Sequence, residues 1–153
     1  MRIDSSLREQ WKPEGDGFVA EVPSGWMQGR TLYGGLTAAY AVALGQTQVS
    51  EQRSLRGFTC QLIRPINPGM MRAECRVQRE GKTLSFVEVD LMQDKLCSRF
   101  QLSFAVPRES NLTIEAREKI TLPQADDLEE LPYIEGIVPE VVQRIQMRWA
   151  EGM

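Results

Sequence analysis

The chain has 153 residues, of which 42% are hydrophobic and 25% are charged, so it fits one globular domain and excludes a disordered or fibrous protein. Its net charge of −3 provides no basic field to attract nucleic acid. Because the chain contains no histidine, it cannot form a Ser-His-Asp triad, a Cys-His dyad or a His-bearing zinc site by itself.

The three cysteines are odd in number and widely spaced, which favours reduced, buried thiols over disulfides. The first residues lack the apolar core of a signal peptide, and no run approaches the ~18 apolar residues of a membrane span. We therefore expect a cytoplasmic protein with no membrane partner and no metal.

The first 32 residues predict two short elements. A helix capped by Ser5 or Ser6 should end before Pro13, and residues 18–22 should form a strand. Residues 26–32 read as an irregular connection.

A long helix is predicted next, over residues 36–49. Gly34 and Gly35 allow a tight backbone at its entry, and apolar residues recur at helical spacing behind them. No charged residue occurs between positions 36 and 49, so the helix belongs inside the protein.

Four strands are predicted after this helix, over residues 54–66, 70–79, 83–92 and 96–106. Each alternates apolar with polar side chains, which is typical of antiparallel strands with one buried face. The uncharged helix is the element of the right size to cover that face, so the fold class is α+β. Alternation places Glu88 and Asp90 opposite the apolar side, on a solvated face.

The chain changes character after Pro107. Acidic residues and two prolines between positions 109 and 132 predict an extended acidic connector. Residues 140–149 fit a short helix or an alternating strand equally well.

Four segments in this order resemble one known family. They are the Tyr33-Gly34-Gly35 helix entry, FTCQLIRPINPG at 58–69, VQREGKTLS at 77–85 and SRFQLSF at 98–104. Together they resemble the N-terminal hotdog domain of the acyl-CoA thioesterase II-like family, over roughly residues 17–106.

The resemblance implies a hotdog fold, in which a curved antiparallel sheet of five to six strands wraps a long central helix. It implies a hotdog domain over residues 1–106 and a connector over 107–138. Residues 139–153 would then begin a missing second hotdog or form a docking tail. Since family members commonly carry two hotdogs, we expect this one to pair with another copy as a homodimer.

The resemblance also implies site residues. Backbone N–H groups of Gly35 and Leu36 would stabilise the oxyanion of a thioester, and Gly34 would let the ligand approach. Gln101 would orient water, and Tyr33 and Thr59 would contact the ligand. Packing alone also explains the glycines and Tyr33, and a solvent-facing position also explains Gln101 and Thr59.

The family's catalytic carboxylate is missing from the start of the predicted helix, which contains no Asp or Glu. Two hypotheses therefore remain open. The chain is an acyl-CoA thioesterase that needs no metal or cofactor, or it is a non-catalytic hotdog module that binds acyl thioesters or serves dimerisation.

Overall fold

A computed structural model describes residues 5–114 and 123–150 of the chain. In these ranges, the helices are α1 (Ser5–Glu9) and α2 (Gly34–Gln46). The strands are β1 (Lys12–Glu14), β2 (Gly17–Val22), β3 (Met27–Gln28), β4 (Thr31–Leu32), β5 (Ser54–Leu62), β6 (Gly69–Glu80), β7 (Leu84–Met92) and β8 (Leu96–Ala105). Two short 3-10 helices follow, Ala125–Asp127 and Glu140–Gln143.

Helix α2 begins two residues before its predicted start and ends three before its predicted end. The two glycines therefore form its first turn rather than a loop in front of it. The Tyr33 carbonyl accepts hydrogen bonds from both the backbone N–H and the hydroxyl of Thr37, at 3.0 and 3.1 Å. The helix closes at Thr47, whose N–H and hydroxyl both donate to the Leu44 carbonyl.

Six strands form one antiparallel sheet in the order β1-β2-β6-β7-β8-β5. Strand β5 follows α2 in the chain, yet it pairs with β8 and forms one edge of this sheet. Irregular registers between Leu55 and Gly57 and between Val77 and Arg79 interrupt the ladders. Such bulges increase the local twist, which helps the sheet curve around the helix.

The core lies between α2 and the central strands. Its fully buried large side chains include Tyr40 and Leu44 from α2, Val87, Val89 and Leu91 from β7, and Phe100, Leu102 and Phe104 from β8. Each contributes roughly 1.5–3 kcal/mol through removal from water. The predicted α+β fold, with an uncharged helix covered by an antiparallel sheet, is confirmed.

Strand β5 departs from the prediction that its apolar side is covered. Phe58 and Leu62 face the same side as the buried residues of β8, but they are 46% and 62% exposed. Beyond this strand the sheet has no further neighbour among the described residues. The alternation of β5 therefore predicted the correct side but not its exposure.

The N-terminal region contains two more hairpins than predicted. The segment around Pro13 was expected only to end a helix, but it forms β1, which pairs with β2. Gly15 turns between them at a φ of 56°, which glycine adopts without strain. The predicted irregular connection over residues 26–32 contains the short β3–β4 pair.

The C-terminal residues 123–150 fold back toward β3. Glu140–Gln143 contacts β3, and Val141 is buried there. Glu130 and Arg148 form an isolated antiparallel bridge. The segment is thus neither the regular helix nor the regular strand predicted for residues 140–149. The proposed domain boundaries at 106 and 138 stay a prediction.

No helix within residues 5–114 and 123–150 combines the length and apolar character needed to span a membrane.

Candidate active site

A cavity of about 310 Å³ opens at the start of α2. Its walls come from β3, β4, the first turn of α2, the end of β5 with the segment that follows it, and one position of β8. The Thr31 hydroxyl accepts a hydrogen bond from the Ile66 N–H, and the Leu32 N–H donates to the Ile66 carbonyl, so the chain after β5 is fastened to β4. The lining residues are Gln28, Thr31, Leu32, Gly34, Thr37, Leu62, Ile63, Arg64, Pro65, Ile66 and Ser98. We call this the first cavity.

The first turn of α2 presents backbone donors beside the first cavity. In any α-helix the leading N–H groups lack an acceptor within the helix, and here these belong to Gly34, Gly35 and Leu36. The Tyr33 side chain makes no capping hydrogen bond, and no acidic residue lies in the first turn. The positive end of the helix dipole is therefore open to a ligand oxygen.

Two buried hydroxyl groups line the first cavity. Thr37 and Ser98 are each only 1% exposed, although both are polar. Thr37 donates its hydroxyl hydrogen to the Tyr33 carbonyl, which leaves the oxygen able to accept from water or ligand. Polar groups buried at a cavity wall are suited to orienting a bound molecule.

Arg64 supplies the charge of this cavity. Its Nη1 donates to the Leu96 carbonyl at 2.7 Å, and its backbone N–H donates to the Cys97 carbonyl at 3.0 Å. No carboxylate among the described residues forms a salt bridge with it. The guanidinium is thus held in place at the cavity while its charge is left for an anionic partner.

The predicted residues at the helix entry divide between two sides of α2. Gly34 lines the first cavity. Tyr33, Gly35 and Leu36 line a second cavity on the other side of the first helical turn. A Cβ built on Gly35 would overlap the Tyr33 ring, so glycine is needed there for the aromatic ring to pack against the helix.

Gln101 and Thr59 lie together, but not at the helix entry. Thr59 Oγ1 and Gln101 Oε1 are 3.5 Å apart across the β5–β8 ladder. Phe100 and Leu102 on either side of Gln101 face α2, so Gln101 and Thr59 face outward from the other side of the sheet. The structure does not bring them to Gly34 or Gly35, and their predicted roles stay predictions.

The outer face of the sheet carries an ionic cluster. Asp90, expected on a solvated face, is 3% exposed, so that expectation is wrong for this residue. Arg99 contacts both of its oxygens at 2.7 Å, and Arg76 reaches it at 3.2 Å. The hydrogen bond to Asp90 raises the pKa of Arg99 above its usual value. Glu88, on the same strand, pairs with Arg76 at 2.8 Å.

The three cysteines are all free thiols but differ in exposure. Cys97 is buried as expected, Cys75 is half-buried, and Cys60 on β5 is exposed, which contradicts the prediction that all three are buried. Burial raises the pKa of Cys75 to about 12. Within the described ranges, no group of three His, Cys, Asp or Glu side chains is placed to hold a metal ion.

The sequence analysis did not predict Thr37, Ser98 or Arg64 as site residues. A signal existed for each of the two hydroxyl residues. Thr37 interrupts an otherwise apolar stretch of α2, and Ser98 occupies a buried position of β8 in alternation with Phe100. Arg64 is part of the motif that carried the resemblance, but only the tertiary structure places it beside Gly34.

Solved structures with the same fold include three informative ones. A hot dog fold protein of unknown function from Alicyclobacillus acidocaldarius has a TM-score of 0.76 at 18% identity, over 97% of this chain and 56% of that one. Acyl-CoA thioesterase II TesB2 from Mycobacterium marinum has a TM-score of 0.65 at 14% identity, over 81% and 46%. This chain therefore spans about half the length of both.

The third is BH2602 from Bacillus halodurans, solved with CoA, which has a TM-score of 0.51 at 19% identity, over 59% of this chain and 66% of that one. These likenesses confirm the hotdog fold.

None of the curated proteins is a significant match. The family model described as the acyl-CoA thioesterase N-terminal domain matches residues 22–105. Because that match covers more than half of the sequence, the chain belongs to the acyl-CoA thioesterase N-terminal domain family.

Proposed function

We propose that this chain binds the thioester group of an acyl-CoA in the first cavity, and that water hydrolyses it there without a metal or redox cofactor. The observation that carries the proposal is the cavity itself, which joins the open N-terminus of α2 to the buried hydroxyls of Thr37 and Ser98. Membership of the thioesterase family and the CoA held by a protein of the same fold support it.

The carbonyl oxygen of the thioester would lie against the free N–H groups of the first turn. When water attacks the carbonyl carbon, negative charge develops on that oxygen, and the donors and the helix dipole stabilise it. Collapse of the intermediate breaks the carbon–sulfur bond, giving the carboxylic acid and CoA thiol. The hydroxyl groups of Thr37 and Ser98 would position the attacking water or the ligand at the carbonyl carbon.

The proposed site is incomplete in one respect. No Asp or Glu is among the described residues that line the first cavity, so these residues supply no carboxylate base to the attacking water. We therefore infer that catalysis needs a second hotdog packed against β5, which ends at this cavity. The exposed apolar side chains and the free edge of β5 suit such pairing.

The partner we propose is a second copy of this chain. The homodimer is tested by sedimentation of the wild-type protein against Leu62→Glu. Met70→Glu is the matched control, because Met70 on β6 is equally exposed, at 62%. Leu62→Glu alone should shift the protein to monomer; a monomeric wild-type protein would contradict the pairing.

The catalytic proposal is tested by thiol release from an acyl-CoA series, together with calorimetric binding of CoA esters. Gly34→Val should weaken binding at least about tenfold, because the added methyl groups occupy the approach to the helix N-terminus. A Cβ on Gly34 meets its nearest neighbour, Leu62, at 3.8 Å, which is ordinary van der Waals contact, so the first atom of the new side chain fits without displacing the helix. Gly57→Val, with a similar 3.8 Å clearance outside the cavity, serves as the control.

A second candidate function follows from the missing carboxylate. Without a base, the same cavity would bind acyl thioesters without hydrolysing them, and the chain would be a non-catalytic hotdog module. Binding that is abolished by Gly34→Val, with no thiol release above background for any chain length, would select this reading. Absence of both binding and turnover would sink the proposal as a whole. For both candidate functions we propose a cytoplasmic location.

A further inference from the structure

Arg64 is the one charged residue among the described residues that line the first cavity. Its Nη1 donates to the Leu96 carbonyl at 2.7 Å, while its Nε and Nη2 make no hydrogen bond or ion pair within the described part of the chain. The side chain is exposed, so its charge is hydrated rather than neutralised. One edge of the planar guanidinium is therefore free to bind the two oxygens of an anion.

The same edge of a guanidinium holds a carboxylate elsewhere in this protein. On the outer face of the sheet, Arg99 donates from Nε to Asp90 Oδ1 and from Nη2 to Asp90 Oδ2, each at 2.7 Å. Arg64 offers the same pair of donors, but no carboxylate within residues 5–114 and 123–150 pairs with it. The arginine in the first cavity is thus suited to a carboxylate that the ligand itself brings.

The first cavity offers further hydrogen-bond donors. Ser98 is only 1% exposed, and its hydroxyl has no partner within the described residues. The Thr31 hydroxyl accepts from the Ile66 N–H, so its own hydrogen is free to donate to a ligand. The positive end of the α2 dipole also faces this space. A ligand with an anionic group as well as a thioester makes use of all these donors.

The size of the first cavity limits the distance between those two groups. At about 310 Å³ it is near the lower end of small-molecule sites, which range over roughly 300–1,000 Å³. Gly34 and Arg64 both line it, so a thioester at the helix N-terminus and a carboxylate at the guanidinium are separated by only a few carbon atoms. The phosphates of CoA lie at the far end of the long pantetheine arm, outside such a space.

We propose that Arg64 selects acyl thioesters whose acyl group ends in a second carboxylate. The substrate class is then a short dicarboxylic acid joined to the thiol through one of its carboxyl groups. This inference rests on the proposed function, since it takes the thioester carbonyl to lie at the first turn of α2. The free carboxylate pairs with Nε and Nη2 of Arg64, and hydrolysis of the thioester releases the dicarboxylate and the thiol.

The first test compares succinyl-CoA with butyryl-CoA, which differ only in that a carboxylate replaces the terminal methyl group. Thiol release, corrected for the enzyme-free rate of each ester, should give a kcat/KM at least about tenfold higher for succinyl-CoA, because the paired hydrogen bonds are charge-assisted. A ratio of one or below, with both esters hydrolysed, would overturn the inference and leave the proposed function standing.

Two variants separate recognition of the acyl group from a structural role of Arg64. Arg64→Met removes the charge, so the ratio of succinyl-CoA to butyryl-CoA turnover should fall at least about tenfold. Arg64→Lys keeps the charge without the planar fork, so it should retain part of the ratio, and it keeps the test informative if methionine disturbs the fold. Loss of the hydrogen bond to Leu96 alone would slow both esters alike. An unchanged ratio in both variants would overturn the inference.

Arg72→Met is the matched control. Arg72 on β6 is also exposed, forms no salt bridge with a described residue, and lines neither the first nor the second cavity. Turnover of both esters should therefore be unchanged in this variant. An equal fall of the ratio in Arg72→Met would assign the preference to the general charge of the protein and overturn the role of Arg64.

The second test removes the phosphates of CoA. N-acetylcysteamine thioesters of succinate and butyrate keep the acyl groups but carry no phosphate. The succinyl preference, and its loss in Arg64→Met, should persist with these truncated esters. Turnover that depends on Arg64 for both CoA esters, but for neither truncated ester, would assign Arg64 to the phosphates and overturn the inference.

The third test measures binding without hydrolysis. In the carboxypropyl and butyl thioethers of CoA, a methylene group replaces the thioester carbonyl, so neither molecule can be hydrolysed. Calorimetry should show at least about tenfold tighter binding of the carboxypropyl thioether to the wild-type protein, and Arg64→Met should abolish the difference. This difference without turnover of any acyl-CoA would support the anionic subsite and contradict the proposed catalysis. Equal affinity of the wild-type protein for both thioethers would overturn the subsite.

Discussion

Strands β5 and β7 have similar alternating sequences but opposite environments. In β7, the side chains that face α2 are fully buried, as Val87 and Val89 illustrate. In β5, the corresponding Phe58 and Leu62 remain exposed, because among the described residues β7 has a neighbouring strand on both sides and β5 only on one. Alternation thus reports which side of a strand is apolar, while burial depends on what lies beside and above it.

The central strands and the β5 edge also differ in what they contribute to stability and to function. The central strands carry the packing energy of the domain, whereas the β5 edge leaves apolar surface uncovered, close to the first cavity. An unprotected apolar edge of nine residues usually marks a surface that another strand covers.

The largest contrast is expected between the two phenylalanines that meet across the β5–β8 ladder. Their ring centroids are 6.2 Å apart, but Phe100 is fully buried and Phe58 is not. Phe100→Ala should lower the free energy of unfolding by about 3–5 kcal/mol, through lost burial and the cavity left behind. Phe58→Ala in the monomer should cost about 1 kcal/mol. Urea denaturation measures both, and equal losses would erase the distinction between centre and edge.

The next contrast concerns two polar partners of Arg99 on the outer face. Asp90 on β7 is the neighbour of Arg99 on one side of β8, and Gln61 on β5 is its neighbour on the other side of β8. Asp90→Asn should cost about 2 kcal/mol, less than a fully buried ion pair, because both of its arginines are more than a third exposed.

Gln61→Ala should change stability by less than about 0.5 kcal/mol. Thermal unfolding at low and high salt should show that the Asp90 effect persists when surface charges are screened. If salt removed it entirely, the cluster would be an ordinary exposed network.

A smaller contrast is expected between two glycines. A Cβ on Gly45 in α2 would overlap the Leu102 side chain, and Leu102 is itself 1% exposed, so it has no free space to move into. Gly45→Ala should therefore destabilise by about 1 kcal/mol, despite the better helix propensity of alanine. Gly57→Ala on β5, where the nearest atom is 3.8 Å away, should be neutral or slightly stabilising. A stabilising Gly45→Ala would indicate looser packing of α2 on β8.

The smallest effect on stability, but a clear one on reactivity, is expected at the thiols. At about pH 8.5 iodoacetamide should label Cys60 on β5 and spare Cys75 on β6, whose pKa of about 12 keeps it protonated. Labelling of Cys60 should slow as protein concentration rises if β5 pairs with a second copy. Concentration-independent labelling would argue against that interface.

The pKa of Cys75 also fixes the sign of a pH dependence. The thiol pKa is raised from 9.0 to about 12, so the native state holds this proton more tightly than the unfolded state. The contribution of this thiol to the free energy of unfolding is therefore complete below about pH 9. It is lost as the pH rises toward 12. Cys75→Ala should flatten that part of the stability profile, which denaturation at increasing pH would reveal.

Much of the fold followed from the sequence. The bounds of β6, β7 and β8 differ from the predicted ones by one residue at most, because alternation is a local property. The burial of α2 followed from its lack of charge. The β1 hairpin was missed because Pro13, Gly15 and Gly17 read only as helix breakers, although the same residues suit a turn between two short strands.

The site was predicted only in part. Gly34 and Gly35 stand at the start of the central helix as expected, but the sequence could not tell that they face different cavities. Alternation within β8 directs Gln101 to the side of the sheet that faces away from these glycines, and its role in orienting water stays a prediction. Thr37 and Ser98 are 61 positions apart in the chain and reach the same cavity, which no local pattern reveals.

The sequence by itself determined the main strands, the family and the buried helix with its paired glycines, since each of these depends on neighbours along the chain. The tertiary structure decided that β5 lies at an edge beside β8, that Asp90 is buried between two arginines, and that two cavities flank the first turn of α2. These features depend on which distant segments pack together. Strand order and side-chain convergence are set by the packing of the whole domain, so no local pattern determines them.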